Sequence, residues 1–149
     1  MTKLFSVDTS VFIAACRPSE AGHAASCEFI RLARQVGSVL IEPSILPVEI
    51  VAALARGQEG AARAVEYAHV VLALPTLNLH ALDGTSVLQA MRTAVQCRLR
   101  GADALYVATA MQYRACLVTL DAEQLERAPA SVHACEPGAA VRLLKKTRV

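Results

Sequence analysis

A short apolar run, Leu4-Phe5-Ser6-Val7, stops at Asp8 and gives way at once to Thr9, Ser10 and a helical apolar pattern from Val11 to Cys16. Such a run is too short for a helix and apolar enough to be covered on both faces, so it reads as a strand inside a sheet. The same pattern returns at residues 38–41, closed by Glu42 and Pro43, and again at residues 76–79, 116–119 and 131–135. Between these runs lie longer stretches of helical period, at residues 20–36, 44–55, 61–72, 84–99, 102–110, 122–127 and 137–146. In the first of these, Ser19 is the expected N-cap and Ala24, Cys27, Ile30 and Ala33 or Arg34 the expected stripe. Repeated alternation of this kind calls for an α/β fold with a mainly parallel central sheet flanked by helices on both faces. A chain of 149 residues suffices for one such domain, taken as residues 1–149.

Composition narrows the function classes. No apolar run approaches the ~20 residues needed to span a bilayer, and Asp8 interrupts the amino terminus before a signal-peptide core can form. No membrane partner is expected, and the expected location is the cytoplasm. The five cysteines are odd in number, scattered and free of any C-x-x-C pair, and read as small buried hydrophobes. The four histidines form no zinc-binding spacing. A net charge of +2 is too mild to announce a nucleic-acid binder, although Arg supplies 12 of the 15 basic residues and suits paired contacts to phosphate.

Acids at the strand ends carry the chemistry. Of only four aspartates, three, Asp8, Asp103 and Asp121, fall after an apolar strand or in the first turn of a helix. Those positions face one rim of a parallel sheet, where ligands of open α/β folds sit. If Glu49, behind Pro47, opens its helix at the same rim, four acids converge. Each acid has an ordinary alternative: Asp8 or Ser10 as a helix cap, Glu49 as a partner of the helix dipole. Asp83 is read as a cap alone. Lys occurs only at positions 3, 145 and 146, so no lysine near the acids in sequence neutralises them. Four converging carboxylates would repel unless protonated or joined by a cation, and an all-oxygen set suits Mg²⁺ or Mn²⁺. That combination points to phosphodiester hydrolysis.

Four segments in this order, Val7-Asp8-Thr9-Ser10-Val11, Leu46-Pro47-Val48-Glu49-Ile50, Ala102 to Ala110 around Asp103, and Leu117-Val118-Thr119-Leu120-Asp121, resemble the PIN domain, and within it the VapC-type toxins of prokaryotic toxin–antitoxin pairs. The resemblance covers the whole chain. It implies a metal-dependent endoribonuclease in which Asp8, Glu49, Asp103 and Asp121 bind Mg²⁺ or Mn²⁺ and Thr119 lines the site. It also implies a homodimer, an RNA substrate and inhibition by a small antitoxin. Thr9 and Thr119 are candidates for substrate contact. Arg98 and Arg100, close to Asp103 in sequence, are candidates to hold the RNA backbone, with a solvated surface role as the alternative.

Rival readings are weaker. A phosphatase-like domain needs an acid at position 10, where Ser10 stands, and both it and a receiver-like domain need a lysine at the site. A nucleophilic hydrolase needs an elbow motif or a Cys/His pair that the chain lacks. A PIN nuclease of RNA maturation or decay, or a PIN-fold binding module without activity, remains an alternative on the same residues.

Overall fold

The computed structural model describes residues 2–146. Five strands form one all-parallel sheet in the order β3-β2-β1-β4-β5: β1 (Leu4–Val7), β2 (Val39–Pro43), β3 (Leu77–His80), β4 (Cys116–Val118) and β5 (Ala134–Cys135). Eight helices connect and cover them: α1 (Thr9–Cys16), α2 (His23–Gln35), α3 (Leu46–Ala55), α4 (Gly60–Leu72), α5 (Gly84–Cys97), α6 (Gly101–Tyr113), α7 (Ala122–Arg127) and α8 (Pro137–Lys146). The expected α/β architecture is therefore present.

Register fixes which side chains face which layer. Phe5 pairs with Leu40 on one side and Cys116 on the other, and Val7 with Val118. Successive side chains of a strand point to opposite faces. On one face the Phe5 ring meets Phe29 of α2 edge-on, centroids 5.2 Å apart. On the other, the Ser6 hydroxyl donates to the Tyr106 carbonyl of α6 at 3.3 Å. Helices thus lie on both faces, and Phe5, Phe12, Phe29, Leu40, Ile50, Leu54 and Leu117 join in one buried cluster between the layers.

Several boundaries differ from expectation for local reasons. Helix α2 starts at His23 with Gly22 as N-cap, because residues 17–22 fold into successive turns and Ser19 caps nothing. A Cβ on Gly22 would stand 2.7 Å from Leu120 Cδ1, so a close approach to the loop before α7 fixes the helix start. The buried stripe of α2 is Ser26, Phe29, Leu32 and Ala33, while Ala24 is exposed. The Phe29 ring outweighs the smaller Ala24, Cys27 and Ile30 in choosing the inward face. Strand β5 is only two residues, since Val132 is held in a turn by the Pro129 carbonyl. Strand β2 runs through Glu42, pairing it with Leu79, where the sequence suggested an end.

Helices α5 and α6 both end in an arginine with left-handed backbone, Arg98 (φ 53°) and Arg114 (φ 51°). An L-residue is strained there and glycine is the usual occupant. Arg114→Gly is expected to stabilise the fold by about 1 kcal/mol, read as a higher urea midpoint at unchanged slope.

Candidate active site at the carboxyl ends of the strands

Chain direction across the sheet reverses between β1 and β4, because β2 and β3 lie on one side of β1 and β4 and β5 on the other. Open α/β sheets bind ligands in the crevice at this reversal, beyond the strand carboxyl ends. Asp8 follows β1 directly and Asp121 follows β4.

Asp8 is both helix cap and crevice residue. Its Oδ2 accepts from the Ser10 amide at 3.0 Å, capping α1, while Oδ1 accepts from Gln124 Nε2 at 2.8 Å. The cap thus uses one oxygen of Asp8, and the other faces Gln124. Asp121 likewise caps α7 by accepting from the Gln124 amide at 2.9 Å. Asp103 lies in the first turn of α6 and its Oδ1 accepts from the same Gln124 Nε2 at 3.0 Å. Burial raises the Asp103 pKa; the Gln124 bond opposes this, and the charges of Asp8, Asp121 and Glu49 raise it further. The charges of the other three acids thus all reach Asp103 through space.

Glu49 opens α3, and its Oε1 accepts from the Thr9 hydroxyl at 2.9 Å and the Tyr106 hydroxyl at 2.7 Å. Tyr106 sits one turn after Asp103 on α6, so the same helix face carries both. It is fully buried, and burial first, then the Glu49 charge, drive its pKa upward, which keeps the phenol a proton donor. Thr119 is also buried, and its hydroxyl accepts from the Asp121 amide at 3.0 Å. The two threonines thus orient acids, Thr9 holding Glu49 and Thr119 holding Asp121. Arg98 and Arg100 are exposed on the approach to α6. The Arg98 carbonyl accepts from Arg127 Nη1 at 2.7 Å, and no salt bridge holds either guanidinium among the described residues.

Three residues of this region are not singled out by the sequence as site residues. Gln124 stands three positions after the α7 cap, where a Gln ordinarily reaches back to the cap amide. Thr119 already holds that amide, so the Gln124 side chain is free to join Asp8 and Asp103. Its Oε1 is buried and has no hydrogen-bond partner among the described residues. Tyr106 carries a signal in hindsight, the i, i+3 spacing from Asp103. Glu42 is completely buried, and both its oxygens accept from the Val7 amide, at 2.8 and 3.0 Å. Burial pushes its pKa well above the ordinary glutamate range, with the Asp8 charge adding to the rise.

None of the salt bridges among the described residues reaches Asp8, Glu49, Asp103 or Asp121. The rim is an uncompensated all-oxygen anionic set with one amide nitrogen between two carboxylates. That donor chemistry fits a hard divalent cation of the Mg²⁺ or Mn²⁺ kind.

A parallel α/β sheet with acids at its switch point defines the class. Residues 6–130 match the PIN domain, and the chain belongs to that family. No curated protein is matched by the sequence. Among solved structures, the chain is similar to PAE2754 from Pyrobaculum aerophilum, with 23% identity over 98% of this chain and 99% of that one, TM-score 0.70. VapC20 from Mycobacterium tuberculosis, described as a Sarcin-Ricin loop cleaving toxin, is 19% identical over 87% of this chain and 98% of its own, TM-score 0.69. VapBC2 from Rickettsia felis, bound to a DNA fragment from its promoter, is 12% identical over 89% and 98%, TM-score 0.68. Among the described residues no helix is long and apolar enough to cross a membrane.

Proposed function

We propose that the chain is a metal-dependent endoribonuclease that hydrolyses RNA phosphodiester bonds and acts as the toxin of a toxin–antitoxin pair. The observation that carries this reading is the pairing of Asp8 and Asp103 on one Gln124 side-chain amide, in a rim of four acids that no salt bridge among the described residues reaches. Asp8, Asp103 and Asp121 hold Mg²⁺ or Mn²⁺, with Glu49 as a fourth ligand or as the group that orients the attacking water. When bound, such an ion would supply Lewis-acid charge for phosphodiester hydrolysis. Glu49 has one oxygen committed to Thr9 and Tyr106, which leaves Oε2 to take the proton of the attacking water. Thr119 holds the Asp121 backbone amide, which fixes the residue at the head of α7. The exposed Arg98 and Arg100 flank the entry to α6, and in this reading they hold the RNA backbone.

The toxin assignment draws support from the resemblance to VapC20, itself named a toxin. It draws further support from two exposed apolar faces. Val87, Leu88, Met91 and Val95 form a stripe on the outer side of α5, and Val48, Val65 and Leu72 rim an apolar groove between α3 and α4. Two such faces suit a homodimer contact and an antitoxin.

The test is cleavage of a small-RNA pool by purified protein with Mg²⁺ or Mn²⁺, and with chelator. Discrete products that require metal are expected. Silence with metal present, in protein freed of any copurified inhibitor, overturns the nuclease reading. Within it, Tyr106→Phe removes one of two donors to Glu49 without removing the ring, so cleavage is expected to fall about tenfold while circular dichroism is unchanged.

A further inference from the structure

Cys116 and Cys135 meet on adjacent parallel strands. The β4–β5 register pairs Leu117 with Ala134 and Val118 with Cys135, which sets Cys116 opposite His133. Alternation along each strand then puts Cys116, His133 and Cys135 on one face of the sheet. The two Sγ atoms are 3.7 Å apart, and one ligand atom from each of the three residues lies within 4.8 Å of the others. Among the described residues no other group of three Cys, His, Asp or Glu side chains is so compact, the acids of the rim included. His133 is exposed and lines, with Cys116, Lys3 and Tyr113, a cleft of about 720 Å³.

We infer that Cys116, His133 and Cys135 form a binding site for a thiophilic metal ion of the zinc class, with a fourth position open to the cleft. Two thiolates bound about 2.3 Å from a tetrahedral ion stand about 3.8 Å apart, and the strands hold these sulfurs at 3.7 Å without rearrangement. The exposed His133 ring is free to swing the remaining distance. The donor set separates this site from the rim, since sulfur and imidazole select a softer ion than carboxylates do. It is independent of the nuclease reading. Its structural consequence is local: β5 is a two-residue edge strand, and its Cys135 carbonyl accepts from the Thr119 amide at 3.0 Å, just before Asp121. A metal bridge there fastens the edge strand to the strand that ends at the acid rim.

Cobalt is the probe. Reduced, chelator-treated protein is titrated with Co²⁺, and the expected result is one equivalent giving a thiolate-to-cobalt charge-transfer band and tetrahedral d–d absorption. Zn²⁺ displaces it and a large excess of Mg²⁺ does not. His133→Asn, at an exposed position that folding tolerates, weakens binding by at least about tenfold, and Cys116→Ser abolishes the band. Absence of a thiolate band in folded wild type overturns the site. So does a band that Mg²⁺ displaces, or one unchanged in the His133→Asn variant, which would place the ion elsewhere, for example at the His23–Cys27 contact. If Cys116→Ser fails to fold, His133→Asn alone decides.

Discussion

Asp8→Asn is expected to lower metal-dependent RNA cleavage by at least about a hundredfold, with a modest loss of stability. Each oxygen of Asp8 serves a different donor, Oδ2 the Ser10 amide that caps α1 and Oδ1 the Gln124 side chain. An asparagine can satisfy only one of them. Turned to keep the cap, its NH₂ faces the NH₂ of Gln124; turned to keep Gln124, it faces the Ser10 amide. Either choice costs about 1–2 kcal/mol, and unlike Asp8→Ala it leaves volume and a cap acceptor in place. The charge is what disappears. Because the Asp8 charge raises the Asp103 pKa, Asp103 titrates lower in the variant. Rates with Mg²⁺ and Mn²⁺, urea melts and the Asp103 carboxyl resonance measure the three effects. A variant that melts as expected yet cleaves at the wild-type rate removes Asp8 from the machinery.

Legibility in the sequence followed the range of the interactions involved. Strands β1, β2 and β4 are short and mainly apolar, Ser6 and Glu42 excepted, so the parallel sheet could be read from them, and α7 and α8 have the bounds their residues suggest. The face of α2 could not, because Ala24, Cys27 and Ile30 keep helical spacing as well as Phe29 does. Only the position of Phe5 across the sheet selects between them. Among candidate site residues, an acid after an apolar run is visible locally. Gln124 is not, since its partners lie just after β1 and on α6 and a neutral amide at that spacing suggests only a cap. Glu42 looks like a strand terminator until the β1–β2 register sets it beside Val7. The cysteine–histidine cluster is hidden for the same reason: no spacing within the chain brings Cys116 to His133, and only the pairing of β4 with β5 does.

The second large effect belongs to Glu42. Its folded-state pKa lies well above the ordinary glutamate range, because full burial opposes the carboxylate more than the Val7 amide supports it. Between the unfolded and folded values the native chain holds a proton that the unfolded chain has released. Stability is therefore greatest at the acid end of that window, falls by about 1.4 kcal/mol per pH unit as pH rises through it, and levels off above the folded pKa. Glu42→Gln keeps a carbonyl to accept from the Val7 amide and has no proton to lose. Relative to wild type it is expected to gain stability as pH rises through the window between the unfolded and folded values, in urea melts run with chelator. Asp103, whose pKa is also raised, contributes a slope of the same sign, but it is present in both proteins and cancels in their difference. A difference that stays flat over this range would mean that Glu42 ionises as freely in the folded protein as in the unfolded chain. In that case Asp8 would share the end of β1 with a second charge. A growing difference means that Glu42 enters the neutral range protonated, so that Val7 is held by a neutral acid and the negative charge of the rim is left to Asp8, Glu49, Asp103 and Asp121.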